Sequence, residues 1–166
     1  MKKSILTLTA VLALSASTTV FAAPINNLSP TGTAIGIGTN ESYIEHKVSD
    51  NFTLGYQYVD RDEYGGMNDI YGQVNVVDHV RVIVGDRSKL PGDKSNFYGG
   101  LAVNTPNIMG AEGYASYVAG SDFNETQVGV NVALVANVDL NINYHSFNPD
   151  HAHNENGIGI GATMKF

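Results

Sequence analysis

The sequence predicts an all-β protein: a closed, antiparallel, up-and-down transmembrane β-barrel, with ten strands the favoured count. Three observations predict it. From Thr31 onward the chain shows almost no helical period, and apolar and polar residues alternate with period two in segments of about 8–10 residues. Short turns and longer polar connections alternate between those segments, the asymmetry of barrels that cross an outer membrane. Ahead of the segments stands a stretch that reads as an export signal.

That stretch comes first in the chain. Lys2 and Lys3 form a short basic region, Ile5 to Val20 is mostly apolar, and Val20-Phe21-Ala22 offers small residues where a signal peptidase reads. Cleavage is expected after Ala22, because a cut after Ala23 would leave Pro24 at the new terminus. A membrane anchor is the alternative, and the apolar run is short for it. The organisation that follows is a signal peptide over 1–22, an N-terminal periplasmic segment over 23–30 and a transmembrane barrel over 31–166.

Strands are expected at 31–39, 42–48, 52–60, 68–76, 80–87, 94–103, 109–118, 125–134, 138–147 and 155–166. Phe52, Leu54, Tyr56 and Tyr58 share one face, with Thr53, Gly55 and Gln57 opposite. Val128, Val130 and Val132 oppose Gln127, Gly129 and Asn131 in the same way. The stretch 31–39 enters the wall because both termini of such a barrel lie on one side, which requires an even count. Eight strands is the alternative, with the two N-terminal segments outside the wall. About nine residues at ~3.3 Å each, tilted by ~40°, rise about 23 Å, close to the apolar band of such barrels.

Three junctions repeat: Val48-Ser-Asp-Asn-Phe52, Val76-Val-Asp-His-Val80 and Leu134-Val-Ala-Asn-Val138. Each keeps apolar parity across the intervening residues, as a three-residue hairpin loop does, and its last loop residue is expected in the left-handed conformation. Those residues are Asn51, His79 and Asn137, which makes His79 a turn residue rather than a ligand. Parity then sets the register. Asp69 should face Arg87, Asn75 should face Arg81, and Tyr71 should cover Gly85 as an aromatic over a strand glycine. The connections Arg61–Met67, Ser88–Asp93, Ala119–Asn124 and Asn148–Asn154 should form longer loops at the opposite end.

Composition narrows the classes. The chain has 166 residues, room for one ordinary domain. Nine Lys+Arg against 16 Asp+Glu give a net charge of −7, without the basic stripe of a nucleic-acid binder. The absence of Cys excludes disulfide scaffolds, Cys-ligated zinc, iron–sulfur clusters and thiol catalysis. No apolar run of about 20 residues follows the N-terminus, which excludes a helical membrane protein. Alternation alone does not say which face is outside. The polar set is sparsely charged and rich in Gly and Asn, which suits a lumen. The apolar set is aliphatic at mid-strand, with aromatics toward strand ends (Phe52, Tyr58, Phe97, Tyr117, Tyr144 and Phe166), which suits lipid and its interfaces. A cation at outward-facing Val130 should therefore be tolerated less well than one at inward-facing Asn131.

The final strand, Ile158-Gly-Ile-Gly-Ala-Thr-Met-Lys-Phe166, resembles the C-terminal assembly signal of bacterial outer-membrane β-barrel proteins, in which a terminal aromatic is read by the barrel-assembly machinery. In length and layout the chain resembles the small members of that class, of the OmpX and OmpW kind. The resemblance implies a Gram-negative outer membrane as location, lipid and lipopolysaccharide as surroundings, the assembly machinery as a partner through Phe166, and a monomer without cofactor or catalysis. It implies a structural or surface-interaction role, with a narrow, porin-like path for small solutes or apolar molecules as the alternative. A lipid A-modifying enzyme is more remote. In the lipid A deacylases, barrels of similar length, a His and a Ser lie two residues apart. Here His145 and Ser146 are adjacent and point to opposite faces. The omptin proteases are about twice as long.

The candidate site is the lumen. Lys47, Arg81, Glu112, Asp139 and Lys165 should lie near its periplasmic end, with Asp69 and Arg87 at the outer end, as a structural polar network. Gly32, Ala34, Gly36 and Gly38 beside Gly157, Gly159 and Gly161 make one wall small, so that Tyr71, Tyr98 and Tyr114 either fill it from across the lumen or leave a crevice. Elsewhere, His151 and His153 with Asp150 and Glu155 could bind a transition metal, and Asp60-Arg-Asp-Glu63 could hold calcium loosely. A solvated loop and a charged surface are the simpler readings.

Overall fold

A computed structural model describes residues 23–166. The expected signal peptide, 1–22, lies outside the described residues. Ten strands follow in order: β1 (Thr33–Gly38), β2 (Glu41–Ser49), β3 (Phe52–Arg61), β4 (Gly65–Val77), β5 (Val80–Leu90), β6 (Lys94–Asn104), β7 (Ala111–Gly120), β8 (Phe123–Val135), β9 (Val138–Pro149) and β10 (Glu155–Lys165). Each pairs antiparallel with its sequence neighbours, and β1 pairs with β10 to close the barrel. Closure satisfies the strand edges without a helix, because every backbone ladder has a partner.

The predicted register holds. Asp69 stands opposite Arg87, Tyr71 opposite Gly85 and Asn75 opposite Arg81. The turns that set it differ in detail. Each loop is two residues long, and the extra residue is taken up as a bulge just before it, between Lys47 and Ser49, Asn75 and Val77, and Ala133 and Val135. A bulge adds one unpaired residue, so the parity of the chain survives. His79 alone of the three turn residues then needs the left-handed conformation, with φ 65°; Asn51 and Asn137 do not adopt it. All three carbonyls are used, accepting from Asn75, Asn104 and Lys165 on the next strand over.

At the other end the expected long loops are short. Strand pairing extends to Arg61 opposite Gly65, and past Arg87 to Leu90 through a bulge with Lys89 at φ 61°. The difference between the two ends therefore lies in how far the strands extend, not in loop length.

The pleat sorts the side chains as the alternation predicts. Ile70, Val84, Leu101, Val128, Ile142 and Ile158 are exposed on the outer wall, with Phe97, Tyr117, Tyr144 and Phe166 among the exposed aromatics. Inward positions carry the polar set: Glu45, Gln57, Asp69, Arg81, Glu125 and Asn143 are all buried.

The segment 23–30 departs from expectation. Rather than lying outside the wall, its first residues run inside the barrel, where Ile25, Asn26 and Leu28 are buried. Ile25 packs with Tyr71, Ile83, Tyr98 and Tyr114, and Leu28 with Ala34 and Tyr43. The physical reason is in the composition. The segment has no charge and two large aliphatic side chains, which gain by leaving water.

Candidate functional site: a filled lumen

At the loop end, ion pairs form a layer across the lumen. Arg87 meets Asp69 in a bidentate pair, Nε to Oδ1 at 2.8 Å and Nη2 to Oδ2 at 2.6 Å. Its third contact is Nη1 to Glu125 Oε2 at 2.6 Å. Glu125 Oε1 accepts from Arg61 Nη2 at 2.7 Å, and Glu155 lies 3.7 Å from Arg61 Nη1. Glu125 thus ties two arginines together from a position 2% exposed. Aromatic rings cap the layer. The Arg61 guanidinium stacks 3.9 Å from the Phe147 centroid and that of Arg87 4.5 Å from Phe123. Charge-assisted, bidentate bonds are the strong kind, and a buried charge needs such partners.

Below this layer four tyrosines point inward, each over a glycine of an adjacent strand. Tyr43 covers Gly36, Tyr71 covers Gly55, Tyr98 covers Gly85 and Tyr114 covers Gly129, so that a Cβ at any of these glycines would overlap a ring. Tyr71 therefore does not cover Gly85, as the register alone suggests. It has a glycine on both sides and leans to Gly55, leaving Gly85 to Tyr98. The hydroxyls are tied as well: Tyr71 donates to Glu45 Oε1 at 2.9 Å, and Tyr114 Oη accepts from Asn141 Nδ2 at 3.0 Å. The small wall at the β1–β10 seam is not filled from across the lumen. Tyr43 covers it from next door, its hydroxyl meeting Thr163, and Leu28 of the inner segment packs beside it.

That inner strap is bound mainly through its backbone. Arg81 donates to the Asn26 carbonyl at 2.7 Å, Asn131 to that of Ile25 at 3.0 Å and Lys47 to that of Leu28 at 3.0 Å. The Ala23 N–H donates to Gln57 Oε1 at 2.8 Å. The Asn26 side chain donates to Glu45 Oε2 at 2.8 Å, and Glu45 also accepts from Gln73 at 2.8 Å.

The seven lumen residues singled out in the sequence thus all face inward but do not form one network. Asp69 and Arg87 pair. Arg81 and Lys47 hold the strap, Arg81 also contacting Gln73 at 3.0 Å. Lys165 pairs with Asp139 at 2.6 Å near the tight-turn end, where both remain partly exposed. Glu112 accepts from Asn104 at 3.2 Å. Arg61, Glu45 and Glu125 escaped sequence reading. Arg61 falls where a loop was expected and Glu125 is the first residue of its expected strand, and their inward parity was the available signal. Asn131 is buried and bonded to the strap, so it is not the neutral lumen position the alternation implied.

His145 is fully buried in the lumen, while Ser146 lies on the outer face, and the β8–β9 register runs through both without a bulge. The two side chains are therefore on opposite sides of the wall. His151 sits in a turn at φ 63° and His153 is exposed, its carbonyl accepting from Tyr64. Among the described residues no three His, Cys, Asp or Glu side chains gather into a metal-binding group. In the outer loop between β7 and β8, the Ser121 hydroxyl, then Lys94, hold Asp122 below the usual carboxylate range.

An apolar outer wall around a polar, packed lumen defines the class: a small antiparallel barrel of outer-membrane type. No family model matches the chain, and no curated protein matches it in sequence. Solved structures similar to it include a de novo designed transmembrane β-barrel, with 13% identity and a TM-score of 0.42, covering 85% of this chain and 100% of the other. The N-terminal β-barrel domain of Pseudomonas aeruginosa OprF gives 11% identity and a TM-score of 0.40, covering 82% and 98%. Neisserial surface protein A gives 12% identity and a TM-score of 0.33, covering 81% and 94%.

Proposed function

We propose that this chain is a non-catalytic, non-conducting barrel of a bacterial outer membrane, with a structural or surface-interaction role. One observation carries this reading: the middle of the lumen is filled, and the larger recess, about 420 Å³ lined by Asn27, Asp78, His79, Arg81 and Asn104 among others, lies at the tight-turn end. The ion-pair layer, the tyrosines and the strap leave an internal cavity of about 40 Å³ between them, lined by Gln57, Asp69, Arg87 and Tyr98 among others, room for about three waters and no solute. The exposed aliphatic wall supports lipid as the surroundings, and the short outer loops favour a structural role over one built on loop recognition. Purified protein in planar bilayers is expected to give no stepwise conductance. Stable single-channel steps would overturn the proposal in favour of a narrow pore.

Assembly through the last strand is part of the same proposal. Phe166 is exposed, and its backbone closes the seam, N–H to the Thr33 carbonyl at 2.9 Å and carbonyl to the Thr33 N–H at 3.1 Å. Phe166→Ala keeps those backbone bonds and removes only the aromatic ring. It is expected to lower the amount of folded barrel in the outer membrane several-fold, while the same variant refolds normally in detergent. Unchanged membrane levels would show that the ring is not read during assembly.

A further inference from the structure

We infer that the recess at the tight-turn end is a binding site for a small zwitterion of the amino-acid or short-peptide type, whose carboxylate sits on Arg81 and whose ammonium sits at Asp50 and Asp78. The recess measures about 420 Å³, within the range of small-molecule sites, and is bordered by all three side chains. Such binding goes beyond the proposed function, since a barrel need not conduct to hold a ligand at its mouth.

The floor of the recess carries the first argument. Arg81 is 5% exposed, and among the described residues no carboxylate lies within ion-pair distance of it. Glu45 and Glu112 act on it only from further off. Its two hydrogen bonds, to the Asn26 carbonyl at 2.7 Å and to Gln73 Oε1 at 3.0 Å, both leave from Nη1. The other edge, Nε and Nη2, makes no hydrogen bond within the described residues and is not sealed in, so it opens on the recess that Arg81 borders. Arg87 shows what that edge takes. Its own Nε and Nη2 clasp Asp69 at 2.8 and 2.6 Å, two parallel bonds to one carboxylate. A buried guanidinium without such a partner is costly, and a ligand carboxylate supplies it.

The rim carries the second. Asp50 and Asp78 lie in two of the tight turns, are exposed, and have no ion-pair partner among the described residues. Two carboxylates at the mouth attract a cation and repel a lone anion, a phosphate dianion more than a carboxylate. A ligand that suits both floor and rim therefore carries both charges. Asn27, Asn51 and Asn75 also line the recess, and their amides can pair with the N–H and C=O groups of a peptide. Asn75 stands opposite Arg81 in the β4–β5 ladder, on the inner face of the wall, so the site is reached from the aqueous mouth and not from lipid.

The test is calorimetric titration of the dipeptide Ala-Ala into protein purified from native membranes in a non-ionic detergent. Saturable binding is expected, with at least tenfold weaker binding of the C-terminally amidated and of the N-acetylated dipeptide, each of which lacks one charge. Free alanine carries the same two charges, and the tighter of the two probes tells whether a peptide or a free amino acid is the source. Phosphoethanolamine, with a phosphate in place of the carboxylate, is expected to bind more weakly than either; tighter binding would overturn the assignment to a carboxylate. Asp50→Asn with Asp78→Asn should bring Ala-Ala down to the level of its N-acetylated form and leave the preference over the amide intact. Arg81→Lys keeps a cation for the Asn26 carbonyl and removes the free edge, so it should abolish the preference over the amide. Where that variant fails to fold, the aspartate pair alone decides. No saturable binding of Ala-Ala or alanine overturns the inference, as does binding that ignores both caps or that the aspartate pair leaves unchanged. Bilayer conductance bears on none of these outcomes, so the inference and the proposed function fail separately.

Discussion

Glu125→Ala is expected to destabilise the barrel by about 3–5 kcal/mol, the cost of removing one partner from a buried ionic cluster. The carboxylate bonds Arg61 at 2.7 Å and Arg87 at 2.6 Å, and neither guanidinium can reach water to compensate, since Arg61 is 2% and Arg87 3% exposed. Arg87 would keep its close pair with Asp69, whereas Arg61 would keep the Phe147 ring and, among the carboxylates of the described residues, the longer contact to Glu155 at 3.7 Å. The loss should therefore be felt most at the β3–β4 end. Lys165→Ala is the comparison. It breaks the 2.6 Å pair with Asp139, but at side chains 27% and 14% exposed, so only about 0.2–1 kcal/mol is expected. Urea unfolding in lipid vesicles measures both. Equal losses would mean that the loop-end layer is more open to water than its burial indicates.

Val128→Arg is expected to cost about 2–4 kcal/mol in a bilayer, the penalty for a cation facing lipid at mid-depth. Val128 lies in the middle of β8, points outward and is 52% exposed. Ile108→Arg serves as the control. Ile108 is as exposed, at 66%, but lies in the β6–β7 connection at the tight-turn end, where the cost of a cation falls to about 0–1 kcal/mol. The two variants differ in depth and not in the new side chain. If water surrounded the wall, both would change stability by less than about 0.5 kcal/mol, as exposed substitutions usually do. A silent Val128→Arg therefore removes the membrane from the account.

Much of the fold was legible because a barrel repeats one rule. Alternation gives the inside and outside of each strand, and parity across the turns gives the pairing of Asp69 with Arg87. Turn chemistry was less legible. A bulge before the loop and a longer loop keep the same parity, so the sequence did not distinguish them, and Asn51 and Asn137 were assigned a conformation they do not need. Strand ends were hidden for a related reason. The stretch Arg61–Met67 reads as loop, yet β3 runs through Arg61 and pairing resumes at Gly65, with Tyr58 lying over Gly66 on the outer face.

The site was legible in type and not in arrangement. Period two shows which residues face the lumen, but an inward residue's partner depends on the height of its strand in the barrel and on what else enters. Arg81 and Asn131 illustrate this. Both read as parts of a polar lumen, and each also donates to a carbonyl of a segment expected in the periplasm. The signal for that segment was its own composition, with Ile25 and Leu28 in an uncharged stretch. Weighing burial outside the periodic segments would have found it.

The claim on which the rest depends is that ten strands close into one barrel whose wall faces lipid. Its most direct test is gel mobility of the protein from native outer membranes, loaded with and without boiling. Closed barrels satisfy their backbone groups between strands and resist detergent until heated. A closed barrel is expected to give a faster band in the unboiled lane that shifts to the slower, unfolded position after boiling. One band at the unfolded position in both lanes, from protein found in the membrane fraction, would contradict it.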